Sequence, residues 1–78
     1  MSDDIIETPK HYARYKIQPR RYCMENNFEY WRGSVIKYVS RAGFKDYEGK
    51  TPIESEILDL RKAEEFIKYR REALEEKL

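Results

Sequence analysis

Residues 28–45 read FEYWRGSVIKYVSRAGFK, and this stretch decides the fold that the sequence predicts. At 100° per residue, five apolar side chains fall within about 80° of one another, which is typical of an amphipathic helix. These residues are Phe28, Trp31, Val35, Val39 and Ala42. The opposite side is basic, and its residues are Tyr30, Gly33, Lys37, Ser40 and Arg41. We therefore predict a central helix with one face in the core and a basic face that is available for binding or catalysis. Gly43, in the left-handed conformation of a C′ residue, should end this helix.

A shorter helix is predicted before the central one. Pro19 suits its first position, because the N–H that proline lacks has no intrahelical partner there, and the helix should run to about Asn26. Tyr22 and Cys23, with Met24 as a further candidate, are expected to face inward. Asn26 and Asn27 should break this helix, since asparagine competes for backbone hydrogen bonds and tolerates left-handed turns.

The last helix has the clearest start in the sequence. Thr51, Pro52 and Glu54 stand at the N-cap, N1 and N3 positions, so Thr51 and Glu54 are expected to form a capping box. From there the helix should run to the C-terminus, about 26 residues or roughly 39 Å. Its apolar residues follow a broken heptad, Ile53, Ile57, Leu60, Ile67, Leu74 and Leu78, with Glu64 and Arg71 at the two remaining positions.

The predicted fold class is all-α, a small bundle of two to three helices with a long C-terminal helix. That last helix outreaches the central one by about ten residues, or roughly 15 Å. Its second half therefore has either no partner within the chain or a partner in another chain, and we expect oligomerisation to complete the bundle. Residues 1–9 are polar and end at Pro9, so we predict a flexible N-terminal arm followed by one helical domain at residues 10–78.

Composition limits the classes of function. The chain has 78 residues and a net charge of +1, so any anion site must come from local clustering. No long apolar run and no basic, apolar leader is present, and we expect a soluble, cytoplasmic protein with no membrane span. The near-neutral charge argues against nucleic-acid binding, although residues 10–16, KHYARYK, interleave aromatic and basic side chains. Cys23 stands alone, which excludes an internal disulfide and a cysteine zinc site.

The start of the last helix suggests an anion site. Residues 49–51, GKT, match the end of a phosphate-binding loop, but five residues separate the two glycines instead of four, and Pro52 removes one backbone donor. Arg41, Lys45 and Lys50 would surround the positive helix N-terminus, a combination that favours phosphate. The alternative is a solvated basic loop.

Two further groups are candidates for chemistry. Glu56 and Asp59 share a helix face and could hold Mg²⁺, or Asp59 could instead pair with Lys62 or with an arginine. His11 is the only histidine and could transfer protons near neutral pH, or serve as a structural hydrogen-bonding group. His11 and Asp59 are thus the catalytic candidates, and Glu56 and Asp59 the metal candidates.

With these residues in view, the chain resembles a family of short bacteriophage proteins, formally a domain of unknown function and often labelled nucleotide kinase. The signature spans roughly residues 8–70 and consists of His11-Tyr12, Ile17-Gln18-Pro19, Gly33-x-x-x-Lys37-Tyr38-x-x-Arg41-Ala42-Gly43-x-Lys45 and Asp59-Leu60-x-Lys62-Ala63. Ser34 departs from it, since the family usually has asparagine there, and the loop between Lys45 and Thr51 is longer.

The resemblance implies a phage origin and binding of a nucleotide or another phosphate-bearing ligand, since one type of relative phosphorylates deoxynucleoside monophosphates. The residues that it implies for phosphate binding are Tyr12, Gly33, Lys37, Arg41, Lys45 and Lys62. A small helical module that binds a host or phage protein is the alternative, and nucleic-acid binding is the third hypothesis. Mg²⁺ is the cofactor that phosphate chemistry would imply.

Overall fold

Three helices make up the part of the chain that the structure, a computed structural model, describes, namely residues 14–78. They are α1 (Pro19–Glu25), α2 (Tyr30–Arg41) and α3 (Pro52–Glu75), and no strand occurs within this range. Helix α2 packs along α3 as an antiparallel hairpin, and α1 packs against α2. The predicted all-α class with a long C-terminal helix is confirmed, whereas oligomerisation stays a prediction.

The helix boundaries follow the local signals in the sequence. Helix α1 begins with Pro19 in its first turn, and the chain reverses after it at Asn27, which has a φ of 56°. Helix α2 ends at Arg41, and Gly43 follows with a φ of 88°, the left-handed conformation expected of it. The Phe44 N–H donates to the Arg41 carbonyl at 2.8 Å and closes this turn.

The capping box at the start of α3 is present. Thr51 Oγ1 accepts a hydrogen bond from the Glu54 N–H at 3.1 Å, and a Glu54 carboxylate oxygen accepts one from the Thr51 N–H at 2.8 Å. The backbone hydrogen bond to Thr51 holds the pKa of Glu54 below its ordinary value. The 24-residue helix then continues without interruption to Glu75.

The face of α2 that packs on α3 differs from the predicted one by roughly a quarter turn of the helix. Ser34 and Arg41 are its buried residues, while Val39 of the predicted apolar stripe is 52% exposed. Tyr38 stacks on Phe66 of α3, with 6.1 Å between the ring centroids. The periodic pattern identifies a buried face by hydrophobicity alone. It could not predict that Arg41 of α2 is buried, because that burial depends on an ion pair with Asp59 of α3.

The centre of the hairpin is polar. Among residues 14–78, Ala63 is the only buried hydrophobic residue, and the other buried residues are Ser34, Arg41, Ser55 and Asp59. Ser55 and Asp59 are fully buried. Hydrogen bonds and one ion pair, rather than an apolar core, therefore connect α2 with α3 at this point.

Arg14 and Tyr15 contact the end of α2 and the turn after it. The Tyr15 hydroxyl donates to the Ser40 carbonyl, and the Arg14 guanidinium lies 3.7 Å from the centroid of the Phe44 ring. The predicted arm at residues 1–9 lies outside the described residues. None of the helices in residues 14–78 combines the length and apolar character that a membrane span requires.

Candidate anion-binding site

A buried ion pair joins the end of α2 to the second turn of α3. Arg41 Nε donates to Asp59 Oδ2 at 3.1 Å, and Arg41 Nη2 donates to Asp59 Oδ1 at 3.2 Å. The side chains are 8% and 0% exposed, respectively. Although burial acts to lower it, the hydrogen bonds and charge of Asp59 raise the pKa of Arg41 above its ordinary value. Arg41 is therefore held in one orientation as a fixed cation.

Tyr47 completes this pair from the loop between α2 and α3. Its hydroxyl donates to Asp59 Oδ1 and accepts from Arg41 Nη2 and, at 3.1 Å, from Lys62 Nζ. The Tyr47 N–H donates to Ser55 Oγ at 2.9 Å, so the buried serine hydroxyl has a hydrogen-bond partner in the loop. The loop is thus fixed to α3 by both the backbone and the side chain of one residue.

Lysines gather around this arrangement, and we call Lys37, Arg41, Lys45 and Lys62 the cation cluster. The Tyr38 ring centroid lies 5.2 Å from Lys37 Nζ, 5.4 Å from Lys62 Nζ and 4.9 Å from Arg41 Cζ. These distances are in the range of cation–π attraction. One aromatic ring thus gathers three cations that come from two different helices.

Cations also lie close to the Tyr47 ring. Its centroid lies 5.1 Å from Lys45 Nζ and 4.8 Å from Lys62 Nζ. Since Lys62 is within 6 Å of both tyrosine rings, it connects the two groups of cations. Lys37 from α2, Lys45 from the loop and Lys62 from α3 consequently converge on one surface.

The cluster has an excess of positive charge. Burial lowers the pKa of Lys45, Arg41 lowers it further, and Lys62 and Lys37 add to the effect while Asp59 opposes it. Among the described residues that shift this pKa, Asp59 alone is negative, and both of its oxygens already accept from Arg41. A bound anion would therefore stabilise the charged form of these lysines.

Gly33 lies beside the cation cluster and faces α1. A Cβ atom at Gly33 would lie 3.7 Å from Cys23 Cβ, an ordinary contact distance, so the glycine leaves room between the two helices. A cleft of about 690 Å³ opens there. Lys37 and Tyr38 both line this cleft. Lys37 belongs to the cation cluster, and the Tyr38 ring lies close to three of its members.

The structure gives other partners to several groups of the anion site expected at the N-terminus of α3. The N–H of Glu54 donates to Thr51 Oγ1, and the Glu54 carboxylate accepts the N–H of Thr51. Arg41 binds Asp59 one turn further along the helix. Lys45 meets Tyr47 and the cations of the cluster, and Lys50 is exposed.

The carboxylates predicted to hold Mg²⁺ have other contacts. Asp59 orients Arg41, which is the pairing alternative that the sequence left open. Glu56 lies beside Gly43, where a glycine Cβ would come within 3.3 Å of its Cδ. No group of three or more metal-ligating side chains occurs among residues 14–78. His11 and Tyr12 lie outside the described residues.

Sequence reasoning missed two aromatic components of the site. Tyr38 belongs to the family signature but is not among the residues that the resemblance implies for phosphate binding, and Tyr47 lies in the loop between Lys45 and Thr51, which has no periodic pattern. The available signal was weak: Tyr47 is the only aromatic residue between Lys45 and Thr51, and an aromatic residue in a short polar loop often packs on the fold.

Comparison with known protein families matches residues 6–68, most of the chain, to the family described as a protein of unknown function (DUF3310). The matched segment contains all four residues of the cation cluster. No match was found among curated proteins or among solved structures.

Proposed function

Since the chain belongs to DUF3310, a family of proteins of unknown function, we propose from its own geometry that the cation cluster binds the phosphate of a nucleotide. The observation that carries the proposal is the convergence of Lys37, Lys45 and Lys62 beside an arginine whose own partner is already fixed. Lysine ammonium groups bind phosphate as point charges on flexible side chains. The guanidinium of Arg41, which is held in place, adds a positive charge that attracts the same phosphate.

The cleft beside the cluster suits the remainder of a nucleotide. Besides Lys37, it is lined by the aromatic rings of Phe28, Tyr30 and Tyr38 and by the polar side chains of Gln18 and Asn27. A volume of about 690 Å³ is within the usual range for small-molecule sites. Aromatic faces can stack on a base, and amide groups can recognise its edge. Lys37 stands where the cleft meets the cluster and would link the two parts of the ligand.

Phosphoryl transfer would extend the proposal, in line with the resemblance to phage proteins labelled nucleotide kinase. Such transfer asks a protein mainly for positioning and electrostatic stabilisation. Asp59 already forms an ion pair with Arg41. Mg²⁺ would therefore bind to the phosphates of the nucleotide rather than to the Asp59 carboxylate. Incubation with a deoxynucleoside monophosphate, ATP and Mg²⁺ tests for a diphosphate product, and binding without product would limit the function to nucleotide binding.

Isothermal titration calorimetry with deoxynucleoside mono- and triphosphates, each with and without Mg²⁺, tests binding itself. K37Q and K62Q should each weaken binding by about tenfold, because a hydrogen bond to a charged group contributes roughly 1.5 kcal/mol or more. K68Q is the matched control: Lys68 is an exposed lysine of the same helix as Lys62, and it should bind as the wild type does. Absence of heat with every nucleotide would refute the proposal.

Lys45 gives a test that separates a binding role from a structural one. Its lowered pKa means that folding brings the charged amine into a less favourable environment. K45Q should therefore weaken nucleotide binding and at the same time raise the melting temperature of the free protein. A lysine that only supports the fold would lower the melting temperature when replaced.

A further inference from the structure

We propose that the outer apolar face of α3 pairs in antiparallel orientation with the same face of a second copy of this chain. We call this face the seam, and its apolar residues are Ile53, Ile57, Leu60, Ile67, Leu74 and Leu78. All six are exposed, with Ile53 at 73%. An exposed apolar row of this length along a 24-residue helix is more than scattered surface hydrophobicity, and it calls for a partner.

The seam is self-complementary in one antiparallel register. Seam positions alternate at spacings of four and three residues, as in a heptad repeat. If the midpoint of the pair falls between residues 65 and 66, every seam residue lies opposite another seam residue. The facing pairs are Ile53 with Leu78, Ile57 with Leu74, Leu60 with Arg71 and Glu64 with Ile67. The whole length of α3 is then paired.

The two charged seam residues decide the orientation. A parallel pair in register would place Glu64 against Glu64 and Arg71 against Arg71, which repel. In the antiparallel register, Glu64 of one copy lies four residues, or about 6 Å, along the axis from Arg71 of the other. Helical side chains lean toward their own N-terminus, and in this register that direction brings the two charges together.

Arg71 can change partner at little cost. In the described chain it forms an ion pair with Glu75 at 2.8 Å, but both side chains are more than half exposed. Such exposed pairs contribute about 0–1 kcal/mol. A pairing with Glu64 of the second copy, partly screened from water by the neighbouring apolar residues, can therefore replace or share it.

A groove beside the seam fits the same partner. It has a volume of about 320 Å³ and lies between Trp31 of α2 and the second half of α3, where Ile67, Leu74 and Leu78 contribute to its wall. In the antiparallel register, Ile53 and Ile57 of the second copy reach this end of α3. The N-terminal end of one seam thus meets the apolar groove beside the other.

The pairing leaves the cation cluster accessible. Lys62 lies about 160° around the helix from Leu60, so the seam and the cluster are on opposite sides of α3. A dimer would carry two separate clusters facing away from its interface. The inference is therefore independent of the proposed function, and either can fail without the other.

Sedimentation velocity over a range of protein concentrations tests the pairing, and charge reversal tests its orientation. The wild type should dimerise. E64R and R71E should each weaken dimerisation on the order of tenfold, because each creates two symmetry-related like-charge contacts. The double variant E64R/R71E should restore it. A monomeric wild type at micromolar concentration would overturn the proposal, and so would a dimer that neither single reversal weakens.

Cross-linking gives a second test that does not depend on charge. In a C23S background, L78C should not cross-link to itself with a short bismaleimide, because the two positions are about 37 Å apart in the antiparallel pair. I53C/L78C should form covalent dimers efficiently. Self-cross-linking of L78C would indicate a parallel pair and contradict the inference. Far-UV circular dichroism of each variant confirms that α3 is intact.

Discussion

Replacing Asp59 by asparagine removes one negative charge from the centre of the molecule and leaves its shape almost unchanged. Asp59 accepts hydrogen bonds from Arg41 Nε, Arg41 Nη2 and the Tyr47 hydroxyl, and it is fully buried. Asparagine keeps one acceptor oxygen and places an N–H₂ group against the donors of Arg41. The arginine then stays buried without a counter-charge.

Removing one partner of a buried ion pair costs about 3–5 kcal/mol. A chain of this length has a total stability of roughly 4–12 kcal/mol, so D59N should lose a large fraction of it. With a urea m-value of about 1 kcal/mol/M, a loss of 3 kcal/mol moves the unfolding midpoint by about 3 M. Urea titration followed by circular dichroism, at matched protein concentration, measures this shift.

E25Q is the matched control for D59N, because it makes the same chemical change in an exposed pair. Arg21 Nε and Glu25 Oε2 are 2.8 Å apart, which is closer than Arg41 and Asp59, but their side chains are 71% and 65% exposed. We expect E25Q to cost at most about 0.5 kcal/mol. A D59N variant that loses no more than E25Q would refute the conclusion that the buried pair holds α2 on α3.

Other predictions concern the ends of the helices. G43A should destabilise the fold by about 1–2 kcal/mol, because its φ is 88° and an added Cβ would lie 3.3 Å from Glu56. G49A should cost less in the same urea assay, since an added Cβ there meets no atom within 4 Å. T51A should cost about 1 kcal/mol through loss of the cap. The backbone N–H of Thr51, which T51A retains, lowers the pKa of Glu54, so the contribution of the Glu54 carboxylate is complete above the unfolded pKa and is lost as the pH falls through the folded pKa. In thermal melts E54Q should therefore differ less from the wild type at low pH than at neutral pH.

The sequence predicted those features of the fold that depend on neighbouring residues. The capping box of Thr51 and Glu54, the start of α1 at Pro19 and the C′ role of Gly43 each involve residues within a few positions of one another. Their geometry is set by backbone stereochemistry and local hydrogen bonds. These local features therefore form largely independently of the tertiary environment.

The packing face of α2 could not be predicted in the same way. Burial of Arg41 depends on Asp59, which is 18 positions away in the sequence, and on a tyrosine in the intervening loop. Pattern analysis treats a charged residue as exposed, because an unpaired charge is costly to bury. Only the folded chain reveals that this charge is paired.

For the candidate site, the structure brings together cations that the sequence singled out, but in surroundings that the sequence did not indicate. Lys37, Lys45 and Lys62 do converge, but on two tyrosine rings rather than on the N-terminus of α3. The ring positions depend on the course of the loop, which carried no periodic signal. Whether these cations bind phosphate stays a prediction.

The scarcity of apolar side chains in the interior has a consequence for how the protein responds to temperature. The heat-capacity change of unfolding grows with the apolar surface exposed and is reduced by polar surface. An average 78-residue domain would show about 1 kcal/mol/K, and a hairpin whose buried residues, apart from Ala63, are polar or charged should show less. Its stability curve should therefore be flat, with little loss on cooling, and dimerisation through the seam would steepen it.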